Sequence, residues 1–481
     1  NPPENAVFFI SPYETNVMYC GSVRVHKSYD GGFSWTQLTE YYNDGTHAEV
    51  HADHHYVGFH PRDKHLLYFC NDGGLHQYNE SIEIWAELSQ GLPITQFYKM
   101  AISTNTPPSL IGGSQDNGGW IRRSNGSWGN TNGGDAMWQL IDPSNAKIGY
   151  TEYWGGRAVY RTTDNFLNLT DLHGNLPADI QGQWVTPFSL NPKNPRTFLI
   201  GYHEVFISPD RGNSFKQISS GLTGAEDKDL RNVEMSPVDS NIIAASYANQ
   251  LYLTYDYGKN WTKTTLPTNF DISSIEFHPT DANRMWITRA GLGTYKVMES
   301  RDKGKTWKSI SAGFVNTAAL VVRYDLASDQ LFVGTDIGLF TSDADKINWA
   351  YYGTGLPNTS VTDIELHQAT RRMYISTYGR GFYSIELPPS KFPLIVQCPG
   401  NFKDTACQSQ DSINKKYHNW INSISYTGGC NVQISNNADS IPPSACGQLK
   451  IVTFTVTSDC DTTIRCRDSF SITPNEGLVL N

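Results

Sequence analysis

The chain of 481 residues lacks several features that mark common protein classes. No stretch of ~18 consecutive apolar residues occurs, so no transmembrane helix is predicted. Lys and Arg number 37 against 47 Asp and Glu, which gives a net charge of −10, and no basic run could follow a phosphate backbone. We therefore expect neither a nucleic-acid partner nor a membrane span.

Signatures of common hydrolases and nucleotide-binding proteins are missing as well. The sequence has no Gly-x-Ser-x-Gly turn, no His-Glu-x-x-His pair and no glycine-rich phosphate loop. Charged residues make up only 17% of the chain, while Gly (41), Tyr (26), Phe (21) and Trp (12) are abundant. This composition is typical of a β-rich protein with many tight turns.

One short motif recurs and predicts a repeat architecture. It reads Ser/Thr-x-Asp-x-Gly-x-x-Trp/Phe, and its copies are SYDGGFSW (28–35), SPDRGNSF (208–215), TYDYGKNW (254–261) and SRDKGKTW (300–307), with a decayed copy, SDADKINW, at 342–349. Asp210, Asp256 and Asp302 are spaced 46 residues apart, and Asp30 precedes Asp210 by 180 residues. A fixed period of ~40–50 residues indicates a propeller or a solenoid.

The chemistry of this motif predicts a structural role for its aspartates. A carboxylate at this position accepts N–H groups of its own turn, glycine permits a positive φ, and the aromatic residue packs the turn against its sheet. Segments between the motifs, such as QLFVGTDIGLF (330–340), alternate like strands. We therefore predict that the motif closes hairpins through Asp30, Asp210, Asp256, Asp302 and Asp343.

These residues resemble the Asp-box (BNR) repeats of sialidase-like β-propellers, a group that includes the sortilin luminal domain and the two-propeller xyloglucan-degrading endoglucanases. The resemblance covers residues 1–388 and implies an all-β, multi-bladed propeller of about eight to nine repeat units. Four-strand blocks are expected to begin near Ala6, His54, Phe97, Met137, Val185, Val233, Ile275 and Leu320, and a three-strand block follows at 361–387. We expect upstream sequence to supply a closing strand. The sequence leaves open whether all the units form one ring or part of a tandem pair.

Propeller topology sorts the turns onto two faces. The turn between the second and third strands of a blade emerges beside the link to the next blade, and we name this side the link face. The Asp-box turns emerge on the opposite side, the clamp face. The link face is predicted to carry the ligand-binding residues Asp72, Gln115, Asn117, Trp154, Arg157, Glu204, Tyr378 and Arg380, together with Arg24, His203, Asn249 and Arg289. Polar groups beside glycines and aromatics suit a carbohydrate or peptide ligand.

The stretch THAEVHADHHYVGFH (46–60) places five histidines and two acids on the predicted link face. In an extended chain His51, Asp53 and His55 point one way, with neighbours ~6.5–7 Å apart, which suits two ligands of a divalent metal but strains three. The alternative is that the imidazoles hydrogen-bond Asp53 and nearby carbonyl groups and so hold a long loop.

Two link-face carboxylates are candidates for glycoside hydrolysis, which needs carboxyl groups ~5–9.5 Å apart, one protonated and one ionised. Asp336, in GTDIGLF, partly matches the Asp-Ile-Gly motif of the endoglucanases, and Asp116, in GGSQDNGGW, lies in a similar Asp-x-Gly turn. A turn aspartate that caps its own backbone is the competing interpretation. Sialidase activity is disfavoured because the Arg-Ile-Pro motif of sialidases is absent.

The composition changes after residue 388 and predicts a separate module over residues 389–481. A Pro-rich linker precedes alternating Val, Ile, Phe, Thr and Ser, with cysteines at Cys398, Cys407, Cys430, Cys446, Cys460 and Cys466. CPGNFKDTAC and TFTVTSDCDTTIRCRDSFSI resemble hyalin-repeat-like modules, which implies a small immunoglobulin-type β-sandwich of about seven strands. Disulfides are expected among the six cysteines in unresolved pairing, whereas Cys20 and Cys70 are expected to be buried free thiols.

The sequence favours a recognition or structural module of a larger protein. Disulfides form in oxidising compartments, so we expect a secreted, extracellular protein at a cell surface. Its expected partners are a glycan or a surface protein, or the upstream segment of the same precursor or sister subunits, and no cofactor is predicted beyond the divalent metal considered above. The alternative is an endo-acting, xyloglucanase-like glycoside hydrolase that uses Asp116 and Asp336.

Overall fold

The computed structural model describes residues 6–225, 228–266, 271–406, 408–439 and 441–474. Nine antiparallel sheets follow one another along the chain as far as Glu386, eight of them with four strands and the ninth with three. Each sheet is a meander in which consecutive strands pair. These sheets are the blades of a multi-bladed β-propeller, which confirms the predicted fold class for this part of the chain.

The strands of the nine blades have the following bounds. Blade 1 contains Val7–Ile10, Met18–Gly21, Val25–Ser28 and Thr36–Gln37, and blade 2 contains His54–Phe59, Leu66–Asn71, Gly74–Asn79 and Ile84–Glu87. Blade 3 contains Phe97–Ile102, Leu110–Ser114, Gly118–Arg122 and Trp128–Asn130, and blade 4 contains Ala136–Ile141, Gly149–Tyr153, Ala158–Thr162 and Thr170–Asp171. Blade 5 contains Phe188–Leu190, Phe198–Gly201, Val205–Ser208 and Lys216–Gln217, and blade 6 contains Asn232–Met235, Ile243–Tyr247, Gln250–Thr254 and Thr262–Thr265. Blade 7 contains Ile272–Phe277, Met285–Arg289, Val297–Ser300 and Lys308–Ser309, blade 8 contains Ala319–Asp325, Gln330–Thr335, Gly338–Asp343 and Ala350–Tyr352, and blade 9 contains Val361–His367, Arg372–Thr377 and Phe382–Glu386.

Short elements connect some of these strands. Thr39–Glu40 and Ala48–Glu49 form a parallel pair in the link between blades 1 and 2. Single turns of 3₁₀ helix occur at Trp154–Gly156, His173–Asn175 and Gln368–Thr370.

Seven of the nine blades close a ring. The first strands of blades 3 to 9 contact one another in chain order, and the first strand of blade 9 contacts that of blade 3. At this closure Phe97 stacks on Phe382 with ring centroids 3.8 Å apart, and Thr362 Oγ1 donates a hydrogen bond of 2.8 Å to the Phe97 carbonyl. The ring therefore runs from Phe97 to Glu386, and blades 1 and 2, which pack on each other through their first strands, are additional to it.

This closure refines the expectation that residues 1–388 form one propeller. The nine units occur where the repeats predict them, for example from His54 and from Phe97. The contact that completes the seven-blade ring is made between blades 3 and 9 of the described chain. The predicted domain limits, residues 1–388 and 389–481, remain a prediction.

The hydrophobic core lies between neighbouring blades. Trp286 of blade 7, for example, stacks on Tyr324 of blade 8 with centroids 4.9 Å apart and is fully buried beside Val322 and Leu331. Because the blades of the ring pack on a neighbour at each side, apolar burial of roughly 25 cal/mol per Å² stabilises the ring as a whole.

Charged side chains line the hub of the ring. Arg323 on the first strand of blade 8 lies 3.1 Å from Asp363 and 3.9 Å from Glu365 of blade 9, and 3.8 Å from Glu276 of blade 7. Burial raises the pKa of Glu276 and Glu365, while the charge of Arg323 opposes that rise. The arginine therefore links three blades electrostatically at the axis.

The repeated turns adopt one hydrogen-bonded geometry on the clamp face. In the turn of Asp30, the Ser28 hydroxyl donates a bond of 2.8 Å to Asp30 Oδ1, the Gly32 amide donates to Ser28 Oγ at 2.8 Å, and the Ser34 amide donates to Asp30 Oδ1 at 2.9 Å. Asp210, Asp256 and Asp302 accept the equivalent bonds. The carboxylate thus fixes the residues that follow it.

Two turns depart from the predicted set. Asp164, which the motif missed, accepts bonds from the Thr162 hydroxyl (2.8 Å) and the Asn168 amide (2.9 Å), and Phe166 takes the left-handed position of the motif glycine with φ 62°. Asp343, which the motif included, points its carboxylate at Lys391 Nζ, 3.0 Å away. The structural role predicted for Asp343 is therefore wrong, because in SDADKINW Ala344 occupies the position of the motif aspartate and Lys346 that of the glycine, so no carboxylate stands where the turn would fold around it.

The C-terminal residues differ from the predicted seven-strand sandwich. A helix, Gln410–Ile421, packs on a four-stranded sheet of Phe402–Thr405, Asp461–Thr473, Gln448–Ser458 and Gln433–Asn436, in which the first two strands pair in parallel. Ile395–Gln397 and Ser425–Thr427 form a further pair. The helix buries Ile413, Tyr417 and Trp420, and Ser409 caps it by accepting the Ser412 amide at 3.2 Å. This spacing of apolar residues places them on one helix face against the sheet.

Two disulfides, Cys398–Cys466 and Cys430–Cys460, cross-link this module. Cys446 is a free, exposed thiol, so the prediction that it is paired is wrong in this structure, and Cys407 lies outside the described residues. Cys20 and Cys70 are free as predicted, although only Cys20 is fully buried.

The turn geometry predicts different effects for two aspartate substitutions. Asp302→Ala leaves the Thr306 amide and hydroxyl without their acceptor, so we expect the melting temperature at pH 7 to fall by about 2–4 °C. Hydrogen bonds from Thr306 lower the pKa of Asp302 to about 2, so this contribution is complete above about pH 4 and is lost as the pH falls towards 2. Calorimetry at pH 7 and pH 3 measures both effects.

Asp343→Ala is the matched control, since it removes the aspartate of a repeat that lacks the turn geometry. We expect the melting temperature to change by less than about 1 °C, because only an exposed ion pair is lost. An equal fall in the two variants would contradict a clamping role for Asp302.

Candidate functional site

The link face carries a group of polar and aromatic residues where blade 2 meets the ring. The turn Gln115–Asp116–Asn117 of blade 3 reaches towards blade 2, and Asn117 Nδ2 donates a bond of 2.9 Å to the Asp72 carbonyl. His51 Nε2 lies 3.1 Å from the Asp116 carbonyl. Residues from the additional blades and from the ring therefore meet at one place, which we name the junction site.

Local backbone geometry explains why this turn is exposed to the site. Asp116 has φ 59° and Gly118 φ 72°, both left-handed, so the chain reverses tightly after the second strand of blade 3. The first strand of the same blade contains a bulge between Phe97 and Lys99, and the first strand of blade 4 contains one between Ala136 and Gln139. Bulges bend a strand and turn its neighbouring side chains, here at the link end of both blades.

Three aspartates form an acid cluster in the junction site. The Asp116 amide donates a bond of 2.9 Å to Asp135 Oδ1, and Asp72 lies in the facing turn of blade 2. Burial raises the pKa of Asp116 to about 6, with further contributions from the charges of Asp135 and Asp72 and from a hydrogen bond with Asp135, while His51 acts in the opposite direction. Asp116 is therefore a carboxyl group that keeps its proton to about pH 6, well above its ordinary range.

Four aromatic side chains form a row beside the acid cluster. Trp154 and Trp184 stack with centroids 5.2 Å apart, and Trp184 Nε1 donates a bond of 2.9 Å to Tyr98 Oη. Tyr98 and Tyr378 both donate hydrogen bonds to Gln115 Oε1. The row thus runs from blade 4 through blade 3 to blade 9, and Gln115 ties it to the turn that carries Asp116.

An arginine covers one end of the aromatic row. The guanidinium of Arg157 lies 3.5 Å from the ring centroid of Trp154 and donates a bond of 2.9 Å to Gln181 Oε1. Gly155 and Gly156, at φ 70° and 61°, allow the tight turn between Trp154 and Arg157. A cation over the indole face stabilises its orientation by roughly 0.5–2 kcal/mol.

Most of the predicted ligand-binding residues gather here. Asp72, Gln115, Asn117, Trp154, Arg157 and Tyr378 belong to the junction site, together with the candidate catalytic residue Asp116. Arg380 is exposed next to Tyr378 and donates to the Gly379 carbonyl at 2.7 Å. The remaining members of the site, Tyr98, Asp135 and Trp184, were not predicted from the sequence. Only Asp135 had a local signal, since it follows the glycines of NGGDAMW (132–138) in a blade-to-blade link.

Other predicted residues have different roles. Glu204 is buried and accepts hydrogen bonds from the Ser219 hydroxyl and from the Gly221 and Leu222 amides, so it stabilises a loop and is not accessible to a ligand. Arg24 is paired with Glu40 at 2.6 Å. Asp336 lies in the corresponding turn of blade 8, where its charge acts on Lys296. Asp116 and Asp336, the two carboxylates that the sequence suggested for catalysis, therefore lie in different parts of the link face.

The histidine-rich loop does not form the metal site considered from the sequence. His51 faces the Asp116 carbonyl, His55 Nε2 contacts Asp72 Oδ1 at 2.5 Å, and Asp53 is exposed with φ 61°. Among the described residues no group of three or more His, Cys, Asp or Glu side chains is arranged to hold a metal ion. The spacing of His51, Asp53 and His55 suggested that the three side chains point one way in an extended strand. The positive φ at Asp53 interrupts that strand, so they do not.

Sequence comparison supports the propeller assignment for part of the chain. A family model described as "Sortilin, neurotensin receptor 3" matches residues 203–348, which run from the third strand of blade 5 to the third strand of blade 8. No curated protein matches the chain in sequence. Within the described part of the chain, no helix is long and apolar enough to cross a membrane.

Several solved structures align with this chain. The GH74 xyloglucanase from Xanthomonas campestris aligns with a TM-score of 0.55 at 14% identity, covering 81% of this chain and 60% of that one. YCF48 from Cyanidioschyzon merolae (TM-score 0.48, 14% identity, 62% of this chain and 97% of that one) and the GH74 enzyme from Niastella koreensis (0.32, 13%, 79% and 81%) also match. The chain thus spans less than two thirds of the length of the Xanthomonas enzyme, and at this identity the likeness shows a β-propeller fold.

The acid cluster predicts a pH-dependent effect of Asp116→Asn on stability. The folded protein holds a proton on Asp116 up to about pH 6, whereas the unfolded chain releases it near its ordinary value of 3.8, so the wild type loses stability as the pH rises through this window. Asn removes the charge and tolerates the same left-handed backbone. We expect the variant to be more stable than the wild type by about 1 kcal/mol at pH 7.5, a value discounted for partial solvent exposure, and equal to it at pH 4.

Thermal unfolding between pH 4 and pH 8 measures this difference. Asp336→Asn is the control, because it makes the same charge change on the link face outside the cluster. A stability gain for Asp116→Asn that does not vary with pH would contradict proton retention by the cluster.

Proposed function

We propose that the junction site binds a neutral glycan, and that the protein acts as an extracellular recognition or structural module. The supporting observation is the aromatic row beside the acid cluster. Trp184 is 44% and Tyr378 38% exposed, so two rings of the row present surface to solvent. Aromatic faces stack on sugar rings, and carboxylates and amides orient sugar hydroxyl groups.

The charge of the site favours a neutral ligand over an anionic one. Asp72, Asp116 and Asp135 contribute three carboxyl groups, of which Asp116 keeps its proton to about pH 6. These carboxyl groups would repel a carboxylate or sulfate group of the ligand, at a place where burial and neighbouring charges already oppose the ionisation of Asp116. Hydroxyl groups meet no such cost and can both donate to and accept from these side chains.

We place this function outside the cell. The C-terminal module contains two disulfides, and disulfides persist under oxidising conditions and are rare in cytosolic proteins. A surface protein remains an alternative occupant of the link face, and neighbouring segments of the same precursor remain expected partners.

The second candidate is hydrolysis of the bound glycan, and the raised pKa of Asp116 favours it. A carboxyl group with a pKa of about 6 can donate a proton to a glycosidic oxygen at neutral pH. Asp72, from a different blade, is then the nearby carboxylate that would activate water, while Asp336 remains the alternative second carboxylate that the sequence suggested. The Xanthomonas campestris relative is named a xyloglucanase, but its 14% identity does not extend that activity to this chain.

Binding measurements with variants of the aromatic row test the proposal. We expect isothermal titration with cellohexaose or xyloglucan oligosaccharides to detect binding, and Trp184→Ala or Tyr378→Ala to weaken it by about three- to tenfold, since one stacking contact contributes roughly 0.5–1.5 kcal/mol. Phe33→Ala is the control, because Phe33 is 94% exposed in a clamp-face turn. Equal loss in the control, or no binding to any neutral glycan on an array, would contradict the proposal.

The same samples distinguish recognition from hydrolysis. Release of reducing ends that stops in Asp116→Asn, with binding retained, identifies an enzyme and Asp116 as its proton donor. Binding without release at any pH between 4 and 8 identifies a recognition module.

A further inference from the structure

We propose a second carbohydrate site at the outer edge of the ring, in a groove between blades 5 and 6, that binds a polysaccharide carrying carboxylate or sulfate groups. This site is separate from the junction site, since it lies between the outer strands of these two blades and shares no residue with the junction site. It therefore goes beyond the function proposed above, and either site can fail without the other.

The groove is built from the outer parts of two blades. It has a volume of about 600 Å³ and is lined by Lys216 of the last strand of blade 5, by residues 219–222 of the following link, by the turn Tyr257–Asn260, and by Lys263 of the last strand of blade 6. Trp261 forms part of its wall and is fixed there, because its Nε1 donates a bond of 2.8 Å to the Ile218 carbonyl. The groove is thus bounded by an ordered aromatic residue that ties the two blades together.

Three lysines line this groove and make no ion pair within the described residues. Lys216, Lys259 and Lys263 are all exposed. No acidic side chain is among the described residues that line the groove. The carboxylate of Asp256, in the same turn as Lys259, accepts hydrogen bonds from the Asn260 amide and side chain, and the buried Glu204 accepts the Ser219 hydroxyl. On a chain of net charge −10, this is a local positive surface.

The equivalent groove between blades 7 and 8 shows that such charge is not a property of the repeat. That groove has a volume of about 350 Å³ and carries Lys308 in the position of Lys216, but Asp345 and Ile347 in the positions of Tyr257 and Lys259. Its cation Arg301 is neutralised by Glu299 at 2.9 Å and by Asp345 at 2.8 Å. The lysine of the last strand thus recurs, whereas Lys259 and the exposed Tyr257 distinguish the groove between blades 5 and 6 from this one.

The aromatic residues of the groove favour a sugar ligand. Tyr257 is 37% exposed at the mouth, next to Lys259, and is held outward by a left-handed backbone with φ 61°. A ring of this kind can stack on a sugar while neighbouring ammonium groups contact its acidic substituents. The lysine is a compact point charge, which suits isolated carboxylate or sulfate groups spaced along a chain.

An acidic peptide fits the groove less well. Peptides that bind beside a sheet commonly add a strand through a row of unpaired backbone groups, and the edge strand Lys216–Gln217 has only two residues. Lysines on edge strands also prevent edge pairing, but Lys259 lies in a turn, so edge protection does not explain its position.

Binding of defined acidic oligosaccharides tests the proposal. The full chain is titrated with an octasaccharide of galacturonate, a sulfated octasaccharide and neutral cellohexaose at 50 mM and 300 mM salt, to separate the two anionic sources from sugar binding in general. We expect at least one acidic ligand to bind, at least tenfold more weakly at the higher salt. The triple change Lys216→Gln, Lys259→Gln and Lys263→Gln should reduce its affinity at least tenfold, and Tyr257→Ala about three- to tenfold.

The matched control changes three exposed lysines outside the groove to glutamine, Lys147, Lys305 and Lys346, and keeps the net charge equal to that of the test variant. Its affinity should stay within twofold of the wild type, and cellohexaose binding at the junction site should be unchanged in both triple variants. Absence of binding to either acidic oligosaccharide, or equal loss in the control, would overturn the proposal. Tighter binding of poly-glutamate that depends on the same lysines but not on Tyr257 would replace the sugar with an acidic peptide.

Discussion

The contact between blades 3 and 9 determines the arrangement of the rest of the molecule. Phe97 and Phe382 stack face to face, and the amides of Gly379 and Gly381 donate to the Thr95 carbonyl at 3.2 and 3.1 Å. A Cβ atom at Gly112 would lie 2.3 Å from the Phe382 ring, so only glycine fits at this position. The same contact brings Tyr378 to Gln115, 263 residues away in sequence, so the junction site exists only in the closed ring.

The junction site also depends on where the two additional blades lie. Asp72 and His51 reach the turn of Asp116 from outside the ring, and the charge of Asp72 contributes to the raised pKa of Asp116. The link face is therefore acidic at this place, whereas the groove between the outer strands of blades 5 and 6 is lined by three lysines. The two places differ in charge because they are built from different turns and strands of the same repeated fold.

The sequence predicted what local hydrogen bonds and alternation determine. The blade boundaries and the turns of Asp30, Asp210, Asp256 and Asp302 depend on neighbouring residues, and the sequence located them. The turn of Asp164 escaped detection because Phe166 and Asn165 adopt the left-handed conformation that glycine usually supplies. The helix Gln410–Ile421 was missed although Ile413, Tyr417 and Trp420 follow helical spacing, since the cysteines and the alternating segments around it suggested strands.

Non-local contacts account for what the sequence could not predict. The number of blades in the ring depends on one contact between distant segments, and Asp135, Tyr98 and Trp184 join the site only through the packing of blades 3, 4 and 5. Hydrogen exchange of the Phe382→Ala variant, followed by mass spectrometry, tests the closure most directly. The structure predicts faster exchange in residues 97–102 as well as in residues 361–386, while Phe340→Ala in blade 8 leaves residues 97–102 unchanged. Unchanged exchange of residues 97–102 in Phe382→Ala would contradict a ring closed between blades 3 and 9.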